Sequence, residues 1–142
     1  MTDIGYSGAP LAKKLGLKDG QRALFIDLPA DLADLTTSRQ FVESSRITVD
    51  QLGDAAPGYD VIHLFTSARA VLEALGQRLM DLIARDGMIW ASWPKKAAKV
   101  ATDITEDVIR TVLLPIGLVD VKVCAVDETW SGLKLVIRKE LR

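Results

Sequence analysis

A chain of 142 residues is the length of one domain and is long enough to bury a core. Eighteen basic and nineteen acidic side chains leave a formal net charge of −1, which excludes a global pull toward nucleic acid or an anionic membrane surface. The single cysteine, Cys124, excludes an internal disulfide, and no apolar run approaches a membrane span. Met1 to Gly5 shows no basic stretch leading into an apolar one, so a secretory leader is not expected and a reducing cytoplasm is.

Taken in order, residues 1–8 are polar and glycine-bearing and read as a loosely held arm. Pro10 is placed to open a helix that carries Leu11, Ala12 and Leu15 on one face and closes at Gly16. Lys18-Asp19-Gly20 is a turn, and Ala23 to Leu28 has the continuous apolar character of a buried strand. Pro29 opens a short helical stretch with Leu32 and Leu35. Residues 36–45 are polar and receive no assignment, Arg46 to Val49 is a short strand, and Gly53 to Gly58 is a loop.

Tyr59 to Phe65 is the next strand. Ser67 is expected to cap a long helix in which Val71, Leu72, Leu75, Leu79, Met80, Leu82 and Ile83 recur at helical spacing, with Asp86-Gly87 closing it. Met88 to Trp93 is apolar and small-residue-rich without alternation, as in a strand covered on both faces, and Pro94 stops it. Asp103 and Glu106 have capping-box spacing ahead of a stripe formed by Val108, Ile109, Val112 and Leu113, which Pro115 and Gly117 end. Two strands follow, Val119 to Val126 and Leu133 to Arg138, with Asp127-Glu128-Thr129-Trp130-Ser131-Gly132 as the hairpin turn. Strands alternating with helices, then a hairpin, predict an α/β sheet that is mostly parallel.

Two resemblances attach to these residues. The order of elements from Tyr59 to Lys139, and the lead-in Leu15-Gly16-Leu17-Lys18-Asp19-Gly20, resemble the class I methyltransferases. That likeness implies one three-layer Rossmann-like domain over residues 1–142, with the strand Leu133–Arg138 inserted antiparallel between Met88–Trp93 and Val119–Val126. Gly5-Tyr6-Ser7-Gly8, Leu11 to Gly16, Trp93-Pro94-Lys95-Lys96 and Thr129-Trp130-Ser131-Gly132 together resemble a family of short bacterial proteins of unknown function, which implies no activity. The departure from the methyltransferases lies after the first strand. There the enzymes carry a glycine-rich loop against the adenosyl cofactor, and this chain reads Asp27-Leu28-Pro29-Ala30-Asp31-Leu32. Asp50 is a single stand-in for the acid that holds the ribose, and a helix–strand–helix segment is missing between Asp50 and Tyr59. No cofactor is expected.

In the methyltransferase order the ends at Asp27, Phe65 and Trp93 and the hairpin turn share one edge of the sheet, where such folds bind ligands. Trp93, Lys95, Lys96, Ser67, Arg69, Asp127, Glu128 and Trp130 are the candidate ligand-binding residues there. Lysines hold a phosphate or carboxylate, and a tryptophan stacks on a ring. The plain alternative is two solvated lysines beside a tryptophan that packs the hairpin. His63, mid-strand, is expected to be a packed core histidine, and Cys124 a small buried hydrophobe. With three strand spacings of ~4.8 Å between them, they form no dyad. Asp127 and Glu128 read as a solvated turn, and one histidine with one cysteine supports no metal site. The expected function is a non-catalytic binding or regulatory domain for a small anionic ligand or an acidic partner segment. Its alternatives are a divergent S-adenosylmethionine- or nucleotide-dependent transferase and, through Lys13, Lys14 and the rim lysines, weak RNA binding.

Overall fold

The structure, a computed structural model, describes residues 10–142, so the arm expected at 1–8 lies outside the described residues. Residues 10–14 form a helical turn, α1, that ends at Gly16 in the left-handed region, φ 75°. There follow β1 (Arg22–Ile26), a 3-10 helix at Ala30–Thr37, β2 (Glu43–Ile47) and a 3-10 helix at Val49–Asp54. Next come β3 (Tyr59–Phe65), α2 (Arg69–Leu82), β4 (Ile83–Pro94), α3 (Glu106–Leu113), β5 (Leu118–Ala125) and β6 (Trp130–Ile137). The six strands make one sheet in the order β2-β1-β3-β4-β6-β5. The first four are parallel, and β6 runs antiparallel between β4 and β5. This is the mixed Rossmann-like sheet expected from the sequence, including its inserted C-terminal strand.

Because successive residues of a strand point to opposite faces, the buried strands feed two cores. Leu24, Ile26, Ile62, Leu64, Ile89, Ala91, Leu133 and Leu135 pack against Leu72, Leu79, Ile109 and Leu113 of α2 and α3. Ala23, Phe25, Val61, Phe65, Met88 and Trp90 pack against Ala12, Leu15, Leu28, Leu32 and Leu35. The Trp90 indole, fully buried, donates to the Leu15 carbonyl at 2.9 Å and fastens the α1 layer to the middle of the sheet. At the opposite end, Arg22 lies 3.9 Å over the Tyr59 ring and bonds Glu43 at 2.6 Å, which links β1, β2 and β3. Among the described residues, no helix is long and apolar enough to cross a membrane.

Several local expectations are corrected by long-range partners. Ser67 does not cap α2. The helix begins after Ala68, and its Arg69 N–H is taken by the Asp103 carboxylate at 2.7 Å. Asp103 is therefore not available for a capping box with Glu106. The cap of α3 is Thr105, whose hydroxyl accepts from the Val108 N–H at 3.2 Å. Burial of Ile104 between them fixes this division of labour. β2 starts at Glu43 rather than Arg46, since an edge strand paired to Arg22–Ile26 needs little apolar content. Thr48 and Gln51 then form a capping box that starts the 3-10 helix at Val49–Asp54, where a loop was expected from Gly53. β6 begins at Trp130, inside the expected turn.

Gly87 does not end α2 either. The helix stops at Leu82, whose carbonyl accepts from the Gly58 N–H at 2.8 Å, and Ile83 is already extended. Gly87 sits within β4 because a Cβ there would stand 2.9 Å from the Asp60 carbonyl oxygen and 2.9 Å from Ile83 Cγ1. Backbone cannot retreat as a flexible side chain can. Gly87→Ala is expected to destabilise the fold by about 1–3 kcal/mol, measured as a lower urea midpoint. An unchanged midpoint would contradict this packing.

Candidate functional site

The parallel strands β1, β3 and β4 end on one rim of the sheet, and the β5–β6 turn joins them there. Pro94 is the register partner of Trp130, Trp93 that of Ser131, and the Lys95 N–H donates to the Thr129 carbonyl at 2.7 Å. The two tryptophan-bearing turns are thus neighbours. The pleat nevertheless separates their rings. Trp93 belongs to the core on the α2–α3 face, and Trp130 packs on the α1 face, edge-on to Phe65 with ring centres 5.3 Å apart.

The structure accordingly divides the predicted site residues. Trp93 and Lys96 line one cleft of about 490 Å³, together with Pro94, Val100, Thr102, Ile104, Thr105 and Glu106. Trp93 and Ile104 make its apolar floor, and both are buried. Lys96 is exposed at its mouth. Ser67 contributes through its backbone, as its carbonyl accepts from the Thr102 hydroxyl at 2.7 Å. Arg69 is paired with Glu73 at 3.2 Å. Asp127 is used by the turn itself: its Oδ1 accepts the N–H groups of Thr129 and Trp130 at 2.8 and 2.7 Å. Glu128 is exposed, and the half-buried Lys95 does not line the cleft. Sequence reasoning missed Thr102 and Thr105, which no local signal marks, and took Glu106 only for part of a helix start. Glu106 is held by Arg110, which Asp107 and Asp120 also bind. The hydrogen bonds from Asp120 and Glu106 raise the Arg110 pKa further above its ordinary value.

The rest of the rim, at the end of β1, is built differently. Asp27 adopts φ 55°, donates its N–H to the Ile47 carbonyl at 2.9 Å and accepts the Val49 N–H on its carboxylate at 3.3 Å. The chain then turns at Pro29, whose carbonyl accepts from the Leu32 N–H, while the Arg46 guanidinium donates to the Leu28 carbonyl at 3.0 Å. The side chains of Leu28 and Leu32 are buried in the α1-face core.

Neither a family model nor a curated protein matches the chain. A SAM-dependent methyltransferase from Aquifex aeolicus superposes with a TM-score of 0.67 at 16% identity, over 90% of this chain and 88% of that one. A TehB-like SAM-dependent methyltransferase from Corynebacterium glutamicum gives 0.64 at 11%, over 92% and 87%. Magnesium protoporphyrin IX methyltransferase from Synechocystis, with bound SAM, gives 0.64 at 14%, over 95% and 78%. The fold is methyltransferase-like. The cofactor of those proteins does not fit here as a glycine-rich loop would seat it. The turn after β1 has its Asp27 N–H already bonded, no N–H at Pro29, and leucine side chains anchored on the core beneath.

His63 and Ser92 form the buried polar pair of the sheet, with Nε2 and Oγ 2.7 Å apart. The imidazole stacks on Phe65 at 4.1 Å, as a packed core histidine does. Burial pushes its pKa from the ordinary 6.5 down to about 3. Cys124 is likewise buried, and burial raises its thiol pKa. Since the unfolded chain takes up the His63 proton and the folded one does not, the associated stability is complete above pH 6.5. It drains away toward pH 3 at about 1.4 kcal/mol per pH unit. Urea unfolding between pH 6.5 and 5 should show that slope in the wild type and little slope in His63→Gln. The carboxylates held low by their partners, Glu43 and Asp120, titrate below this window. A flat wild-type profile would contradict the buried neutral histidine.

Proposed function

We propose that this chain binds a small molecule at the C-terminal rim of its sheet, in the cleft over Trp93, and that it does so as a divergent transferase. The observation that carries the reading is the cleft itself. An aromatic and aliphatic floor with a cation at the mouth lies where α/β sheets bind their ligands. Trp93 supplies a surface for a ring, and Lys96 a charge for a phosphate or carboxylate.

Between transfer and binding alone, the likeness to SAM-dependent methyltransferases weighs toward transfer. One observation favours a non-catalytic role: the closed turn from Asp27 to Leu32 removes the usual seat of the cofactor. A transferase on this scaffold has to hold its donor from the Trp93 side instead. A cytoplasmic setting belongs to the same proposal and is supported by the single buried thiol of Cys124.

Calorimetric titration of S-adenosylmethionine, S-adenosylhomocysteine and a nucleotide series tests this directly. One of them is expected to bind saturably, with affinity falling about tenfold in Lys95→Ala/Lys96→Ala and holding in Asp27→Ala. Absence of saturable heat across the series would remove the transferase reading. Binding that Asp27→Ala abolishes and the double mutant leaves intact would move the site to the end of β1.

A further inference from the structure

The α1 face of the sheet carries a second feature, midway along β5 and β6. Lys122 on β5 and Lys134 on β6 are register partners. Cross-strand partners stand ~4.5–5.5 Å apart at Cβ, and like charges directly opposite destabilise a sheet. Lys18, from the loop before β1, adds a third cation. Both neighbours depress the Lys134 pKa, after burial, which does so most. Arg22, Arg69 and Arg110 are each paired with a carboxylate, of Glu43, Glu73 and Glu106. Among the described residues, no ion pair is made by any of these three lysines.

Beside them opens a cleft of about 360 Å³, lined by Lys18, Gln21, Asp60, Asp86 and Lys134, with the bare backbone of Gly16 and Gly87 in its wall. Its two carboxylates stand among the lining groups without neutralising the lysines, and Asp60 already accepts the Arg22 N–H at 2.8 Å. A cluster of ammonium groups next to acceptors suits a ligand with a multiply charged head and hydroxyls behind it. Lysine binds phosphate as a point charge, and carboxylates accept from sugar hydroxyls. We propose that Lys18, Lys122 and Lys134 bind a phosphate group, and that the adjoining cleft takes the hydroxyl-bearing remainder of a small phosphate ester. The site is independent of the Trp93 cleft and lies across the sheet from it.

Ribose 5-phosphate and inorganic phosphate are the probes, followed by amide shifts in the full chain. Saturable shifts are expected around Lys18 and Lys134 with both. Affinity for each falls about tenfold in Lys18→Gln and in Lys134→Gln, while Lys13→Gln leaves it unchanged. Asp86→Asn weakens ribose 5-phosphate and spares inorganic phosphate. Lys122→Gln, free of the cross-strand repulsion, melts about 1–4 °C higher without ligand and gains less from phosphate than the wild type. No saturable shift, shifts that survive both lysine variants, or saturation by single-stranded RNA without any by ribose 5-phosphate would overturn the assignment.

Discussion

The pleat of β4 governs this molecule. Alternate residues of that strand serve two different layers, with Ile89, Ala91 and Trp93 against α2 and α3 and Met88 and Trp90 against the α1 side. A strand buried on both faces tolerates no slip, because one residue of shift would exchange every side chain between the two cores. The Trp90 indole bond to Leu15 fixes the register further, since it gives a buried donor one acceptor in the correct place. Everything at the C-terminal rim inherits its side from that register.

The same constraint explains why adjacency along the rim does not produce one pocket. The β4–β6 ladder brings Trp93-Pro94 alongside Trp130-Ser131, yet the rings emerge on opposite faces. On the α1 face, Trp130 and Phe65 form a packed aromatic contact above the buried His63–Ser92 pair. On the α2–α3 face, Trp93 stays at the base of a cleft because the segment before α3 stands off from it, held by Thr102 and Asp103 to the start of α2. The end of β1 is occupied by its own backbone bonds and by leucines. The sheet has the methyltransferase-like strand order, and the turn after its first strand is closed by its own hydrogen bonds and buried leucines.

Much of the fold was legible because it rests on local pattern. The apolar runs at Tyr59–Phe65 and Met88–Trp93, the stripe in α2 and the turn at Asp127 each state their structure within a few residues. What could not be read depended on partners far along the chain. Asp103 serves α2 rather than α3, and Gly87 is required by the backbone at Asp60 rather than by a helix end. The edge strand from Glu43 is polar enough to pass for a loop until its pairing with Arg22 is known. At the rim, residue types and their shared edge were legible. The division by face was not, because it needs the register of β6 against β4. Glu106 carried only the signal of a helix start, and Thr102 and Thr105 carried none.

The most direct measurement is the set of three tryptophan indole N–H resonances during titration with S-adenosylhomocysteine. A ligand in the cleft on the α2–α3 face shifts the Trp93 indole and leaves those of Trp90 and Trp130 in place. A shift of the Trp130 indole with Trp93 unmoved would put the ligand on the other face and contradict a site over Trp93.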